Sequence, residues 1–120
     1  MARILFADDD EDLAVVCTLV LEAAGHVVET VTSAARAAAR IRRFGPELVV
    51  VDGDLDGADG LVRALRRERF GVPVVLIAGA ARPPSIEAAV DAVVPKPLAS
   101  NELLAAVQAQ LAHGVVGTAS

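Results

Sequence analysis

A doubly wound α/β domain, a five-stranded parallel sheet with helices on both faces, is the fold that residues 1–114 predict. Three observations carry it. Apolar runs too short for helices recur five times along the chain, stretches with helical period lie between them, and the runs are continuously apolar, as strands buried on both faces are. At 120 residues the chain has room for one core, since a domain of this size buries roughly two-thirds of the surface its unfolded chain exposes.

The first run, Ile4 to Ala7, is followed by a helix from Glu11 to Ala24 on which Leu13, Val16, Cys17, Val20, Leu21 and Ala24 form one apolar face, with Gly25 as a stop. Val27 to Val28 is the second strand. The second helix runs from about Ser33 to Phe44, rich in Ala and Arg, and ends at Gly45-Pro46. Leu48 to Val51 leads to a third helix, about Gly60 to Phe70, closed by Gly71. After the strand Val74 to Ile77, the Pro83-Pro84 turn leaves room for a short fourth helix only, about Ser85 to Val90. Ala92 to Val94 is the last strand, and the last helix spans roughly Asn101 to His113. It stops at Gly114, and residues 115–120 are expected to be a disordered tail.

Composition narrows the function classes. With 54% hydrophobic residues but only three Phe and no Trp or Tyr, the core is aliphatic and stacking platforms for nucleic acid are missing. A net charge of −5 argues further against nucleic acid, because non-specific affinity rests on neutralising phosphates. Cys17 is the only cysteine, so no internal disulfide or cysteine-rich metal site exists, and its apolar neighbours mark it as a buried filler. The opening MARILFADDD is too short an apolar run for a signal peptide, and no run of 18 apolar residues occurs. A cytoplasmic protein with no membrane partner is expected.

The chemistry is concentrated at residues 52–60, DGDLDGADG, where four Asp and three Gly follow an apolar strand. A calcium loop would use Asp52, Asp54, Asp56 and Gly57, but its twelfth position is Arg63, a cation where a bidentate Glu is required. A haloacid-dehalogenase-like phosphatase would use Asp52 and Asp54 as nucleophile and acid, but that family places the pair on its first strand and needs a longer chain. Asp and Gly also favour solvated turns. In open parallel sheets, ligands sit beyond the carboxyl ends of the strands. Strand one ends in Asp8-Asp9-Asp10, strand three in Asp52 and strand five in Lys96, so all three should meet on one rim.

An acidic pair after strand one, a lone aspartate after strand three and a Lys-Pro after strand five resemble the receiver domain of two-component response regulators. The resemblance covers almost the whole chain through ILFADDDED, VVVDGDLDGADGL, PVVLIAG and PKPL. It implies a flavodoxin-like (βα)5 fold with strand order 2-1-3-4-5 and a function as phosphoryl acceptor in a phosphorelay, not as an enzyme in the ordinary sense. By the same resemblance Asp52 accepts the phosphoryl group, and Asp9 binds Mg²⁺ or Mn²⁺ directly with Asp8 acting through water. The backbone carbonyl of Asp54 completes the metal site, Lys96 pairs with Asp52 or a phosphoryl oxygen, and the Lys96-Pro97 bond is cis. Lys96 is the only lysine; the ten other basic residues are arginines.

Two positions depart from the family's pattern. Ala78 stands where a Thr or Ser hydroxyl reports phosphorylation, and Val93 where an aromatic ring rotates. The segment between Ala78 and Lys96 is about four residues short, roughly one helical turn. Phosphoryl acceptance with non-standard switching is therefore expected. The rival reading is a pseudo-receiver, a protein-interaction module that is not phosphorylated.

The first helix has a second apolar stripe, Val15, Leu19 and Ala23 with Thr18. It is either a dock for a histidine kinase or phosphotransfer protein, as the resemblance implies, or scatter on an Ala-rich surface. Arg36, Arg40, Arg42 and Arg43, with Arg63, Arg66, Arg67 and Arg69, form a basic margin that would attract an acidic partner or remain a solvated face. The chain reads as a stand-alone receiver. Its downstream partner and its oligomeric state are open at this level.

Overall fold

The computed structural model describes residues 1–67, 71–78, 86, 89–96 and 98–119, with side chains up to residue 112. Strands β1 (Arg3–Ala7), β2 (Val27–Val31), β3 (Leu48–Asp52), β4 (Val74–Ala78) and β5 (Ala92–Pro95) alternate with helices α1 (Glu11–Ala23), α2 (Ala34–Phe44), α3 (Ala58–Arg67) and, after β5, α4 (Ser100–Ala119). All strand pairs are parallel, in the order β2-β1-β3-β4-β5. The predicted strand order and fold class hold.

Period-two alternation within each strand supplies two cores, one per face of the sheet. Leu5, Ala7, Val49, Val51, Val74 and Leu76 pack on one face beneath α2 and α3, with Ala37, Ile41, Leu61 and Leu65. Ile4, Phe6, Val50, Val75 and Ile77 pack on the other with Cys17 and Leu21 of α1 and Leu103 and Val107 of α4. Because both faces are covered, every residue of β3 and β4 is buried.

Local chemistry places the helix ends. Asp10 caps α1 by accepting from the Leu13 amide at 3.1 Å, and Ser33 caps α2 through the Arg36 amide at 3.1 Å. Gly45, at φ 62°, closes α2 in the left-handed conformation. There the Arg3 Nε–H donates to the carbonyls of Phe44 and Gly45 at 3.1 and 3.0 Å, so the first strand anchors the end of the second helix. His26 Nδ1 accepts the Ala2 amide at 3.2 Å.

Several sequence expectations change. The buried face of α1 is Ala14, Cys17 and Leu21, and Val16 is 50% exposed. At 3.6 residues per turn Val16 lies roughly 130° from the centre of that face, and the small Ala14 lets the helix close on the sheet instead. Strand β2 runs on to Val31 because Glu29, though charged, is held bidentately by Arg40 at 2.6 and 2.7 Å. Helix α3 begins at Ala58, two residues before Gly60. Helix α4 does not stop at Gly114; one glycine inside a helix costs only about 1 kcal/mol. Of the expected fourth helix only Ile86, Ala89 and Val90 lie among the described residues, all three on the α2 and α3 side of the core.

Three arginines of the basic margin pair within the fold. Arg40 holds Glu29, Arg63 pairs with Asp59 one turn back, and Arg66 pairs with Asp91. Asp91 also accepts the Val74 amide at 2.7 Å, so Arg66 ties α3 to the edge of the sheet. Arg69 falls outside the described residues.

Candidate functional site

Register decides which strand ends meet. Ala7 pairs with Val51 and Asp52 with Ile77, which puts Asp8 and Asp52 side by side at one height. Ile77 pairs with Val94, so Lys96 begins two residues above that level, roughly 7 Å higher and about 10 Å away across β4. Its amide is fixed by the Ala78 carbonyl at 3.1 Å. Only a long side chain can return from there to Asp52. The ammonium does so, lying 3.0 Å from Asp52 Oδ1.

The loop after β3 shapes the other side. The Gly53 amide donates to the Ile77 carbonyl at 2.8 Å and the Leu55 amide to the Asp52 carbonyl at 3.0 Å. The Asp54 amide donates to Asp52 Oδ1 at 3.0 Å. A side chain at Gly53 would bring its Cβ to 3.0 Å from the Ile77 carbonyl, so glycine is what lets the loop lie this close to β4.

Asp8 and Asp52 are buried, and Asp9 is exposed beside them. One carboxylate oxygen from each can lie within 4.8 Å of the others. The Asp10 amide donates to Asp8 Oδ1 at 2.9 Å, while Asp8 Oδ2 is buried with no donor among the described residues. Two adjacent buried carboxylates need a proton or a cation between them. Without a cation, burial first and then the Asp52 carboxylate beside it push Asp8 up to about 7, against the Asp10 amide. Burial would also raise Asp52, but the Asp8 carboxyl, the Asp54 amide and the Lys96 ammonium outweigh it and hold Asp52 below the usual carboxylate range. Burial opposes the charge on Lys96, yet Asp54 and Asp52 hold its ammonium above the ordinary lysine range. The orphaned Asp8 oxygen and the three converging carboxylates fit a hard divalent cation.

The sequence matches the family model for the response regulator receiver domain over residues 4–108. This chain belongs to that family. It is 34% identical over 115 residues to the DNA-binding response regulator MtrA of Mycolicibacterium smegmatis, covering 91% of this chain and 50% of that protein. It is 32% identical over 121 residues to the sensory transduction protein RegX3 of Mycobacterium bovis, covering 95% of this chain and 52% of the relative. The receiver thus spans about half the length of these curated relatives. Among solved structures, NtrX from Brucella abortus in complex with ADP superposes with a TM-score of 0.87 at 26% identity, covering 98% of this chain and 28% of that one. A CheY-like response regulator receiver domain protein from Methanospirillum hungatei superposes with a TM-score of 0.85 at 24% identity, covering 94% and 95% of the two chains, a likeness of fold.

Within this receiver, Asp8, Asp9, Asp52, Asp54 and Lys96 come together on the rim as expected. Ala78 is the buried last residue of β4, and Val93 is 37% exposed on β5. The Lys96-Pro97 bond lies outside the described residues. Sequence reasoning assigned Asp54 a backbone role and missed its side chain, whose Oδ2 accepts from Lys96 Nζ at 2.9 Å. An acid two residues past a strand-end acid is a signal for such a contact, but the partner is 42 positions away. Cys17 is buried, and its thiol is pushed up to about 12 by burial and then by the charges of Asp8 and Asp52, so it is inert filler.

On α1 the exposed apolar face is Val15, Val16 and Leu19, at 57%, 50% and 62% exposure. A groove of about 430 Å³ lies beside it, with Val15, Thr18, Leu19 and Asp8 among its lining residues. A wider hollow of about 590 Å³ contains none of the rim acids. No helix among the described residues is long and apolar enough to cross a membrane.

Proposed function

We propose that this receiver accepts a phosphoryl group on Asp52 in a step that depends on Mg²⁺ or Mn²⁺ held by Asp8, Asp9 and Asp52, with the Asp54 backbone carbonyl. The observation that carries this reading is the Lys96 ammonium 3.0 Å from Asp52 Oδ1, beside three convergent carboxylates. In the transfer, an oxygen of Asp52 forms a bond to phosphorus as the bond from phosphorus to the donor's histidine nitrogen breaks, and that nitrogen keeps the electron pair. The cation, when bound, neutralises the charge that would otherwise repel the donor from Asp52. The Asp54 amide holds Asp52 in place, and Lys96 moves its hydrogen bond from the carboxylate to a phosphoryl oxygen.

The donor is a histidine kinase or phosphotransfer protein docked on Val15, Thr18 and Leu19, in the cytoplasm. The groove along α1 reaches Asp8 and so connects this face with the rim. Ala78 offers no hydroxyl and Val93 no ring, so the phosphorylated state is passed to its downstream protein by a route other than those two positions.

Amide NMR spectra with Mg²⁺ alone, and then with the acyl-phosphate mimic beryllofluoride, test the reading. Mg²⁺-dependent shifts around Asp8, Asp9, Asp52 and Lys96, with a beryllofluoride response lost in Asp52→Asn, are expected. Silence to both ligands would overturn it.

A further inference from the structure

One cation on the rim serves two carboxylates. Lys96 Nζ lies 3.0 Å from Asp52 Oδ1 and 2.9 Å from Asp54 Oδ2, so two of its three N–H donors are committed. The two partners are unalike. Asp52 is buried, while Asp54 has a side chain 49% exposed on the loop that leaves β3. The same residue also gives its amide to Asp52 Oδ1 at 3.0 Å. Asp54 therefore touches both members of the Asp52–Lys96 pair, once through its backbone and once through its charge.

The two contacts act in opposite directions on an anion attached to Asp52. The amide orients the acceptor. The carboxylate neutralises part of the lysine's charge and places a negative group next to the oxygens of any phosphoryl anion that Lys96 must hold. We propose that Asp54 is a positioning residue that competes with the phosphoryl group for Lys96, so that the charge on this side chain sets how firmly the site retains a phosphoryl anion. This rests on the acceptor reading of Asp52. A carboxylate that merely decorated the rim would pair with a solvated cation; this one pairs with a lysine whose other partner is the buried acceptor.

The test is the apparent affinity for beryllofluoride at saturating Mg²⁺, measured for the wild-type chain, Asp54→Asn and Asp56→Asn, together with the NMR signal of the Lys96 ammonium. Asn keeps the side chain's size and one acceptor oxygen but removes the charge. Asp56 is an exposed acid of the same loop and controls for net charge. Asp54→Asn is expected to tighten beryllofluoride binding by roughly threefold to tenfold and to move the ammonium signal, and Asp56→Asn to do neither. Equal affinity of wild type and Asp54→Asn, weaker binding by Asp54→Asn, or an equal gain in both variants would overturn the proposal while leaving the acceptor reading intact. No response from any of the three proteins would overturn both.

Discussion

Lys96 and Asp52 form an ion pair at 3.0 Å although their strands are not neighbours: β4 lies between them. The pair spans the sheet because Lys96 starts above the rim and folds back over the end of β4. Arginine would bring a broader, planar head to that narrow crossing, whereas an ammonium is a compact point charge.

Removing this cation has two readable effects. In Lys96→Met the Asp52 carboxyl should titrate higher than in the wild type, because the ammonium is among the groups that hold it down. Carboxyl-carbon NMR across a pH series checks this. Affinity for beryllofluoride should fall by at least about tenfold, since hydrogen bonds to charged groups contribute about 1.5–3 kcal/mol.

The buried acids give the cation-free protein a pH-dependent stability. Asp8 is raised to about 7 from its ordinary 3.8, so its contribution is complete below the unfolded value and is lost as pH rises through 7. Asp52 is lowered, so its contribution is present above the ordinary carboxylate range and is lost on acidification. In EDTA, wild type should therefore melt lower at pH 8 than at pH 6, and Asp8→Asn should remove most of that difference, on the order of 1 kcal/mol. Adding Mg²⁺ at pH 8 should restore the wild-type melting temperature and leave Asp8→Asn nearly unchanged.

Gly53→Ala tests the close approach of the loop to β4. A Cβ placed 3.0 Å from the Ile77 carbonyl meets backbone in a buried strand, which has little freedom to yield. The loop must lift, weakening the bond from the Gly53 amide to that carbonyl. A loss of about 1–3 kcal/mol in urea unfolding is expected; unchanged stability would show that the loop adapts freely.

The α1 face separates docking from chemistry. Leu19 is 62% exposed, so Leu19→Glu should change stability by no more than about 0.5 kcal/mol and leave the beryllofluoride response intact. Phosphoryl transfer from a histidine kinase should slow by about tenfold or more, because a charge now sits on the apolar contact. The rate of labelling from the phosphorylated kinase, compared with that from a small-molecule phosphoryl donor, decides between docking and a passive surface.

Much of this protein was legible before its structure. Apolar runs of strand length, stops at Gly25 and Gly45, and acids or a lysine directly after strands one, three and five suffice to place Asp8, Asp52 and Lys96 on one rim, because a parallel sheet aligns its carboxyl ends. The outward turn of Val16 was not legible. Apolarity favours valine over Ala14 as a core residue, but the angle about the helix and the closeness of the sheet choose the smaller side chain. Nor was the full length of β2, whose Glu29 reads as a strand end until Arg40 is seen to hold it.

The sequence by itself determined the alternation of strands and helices and the residue types at the strand ends, because hydrophobic period and turn chemistry are properties of near neighbours in the chain. Tertiary structure alone decided that Asp8 lies beside Asp52, that Lys96 crosses β4, and that its ammonium is shared with Asp54. Those contacts depend on strand register and on the height at which each side chain leaves the sheet, quantities set by packing between segments 42 to 44 residues apart.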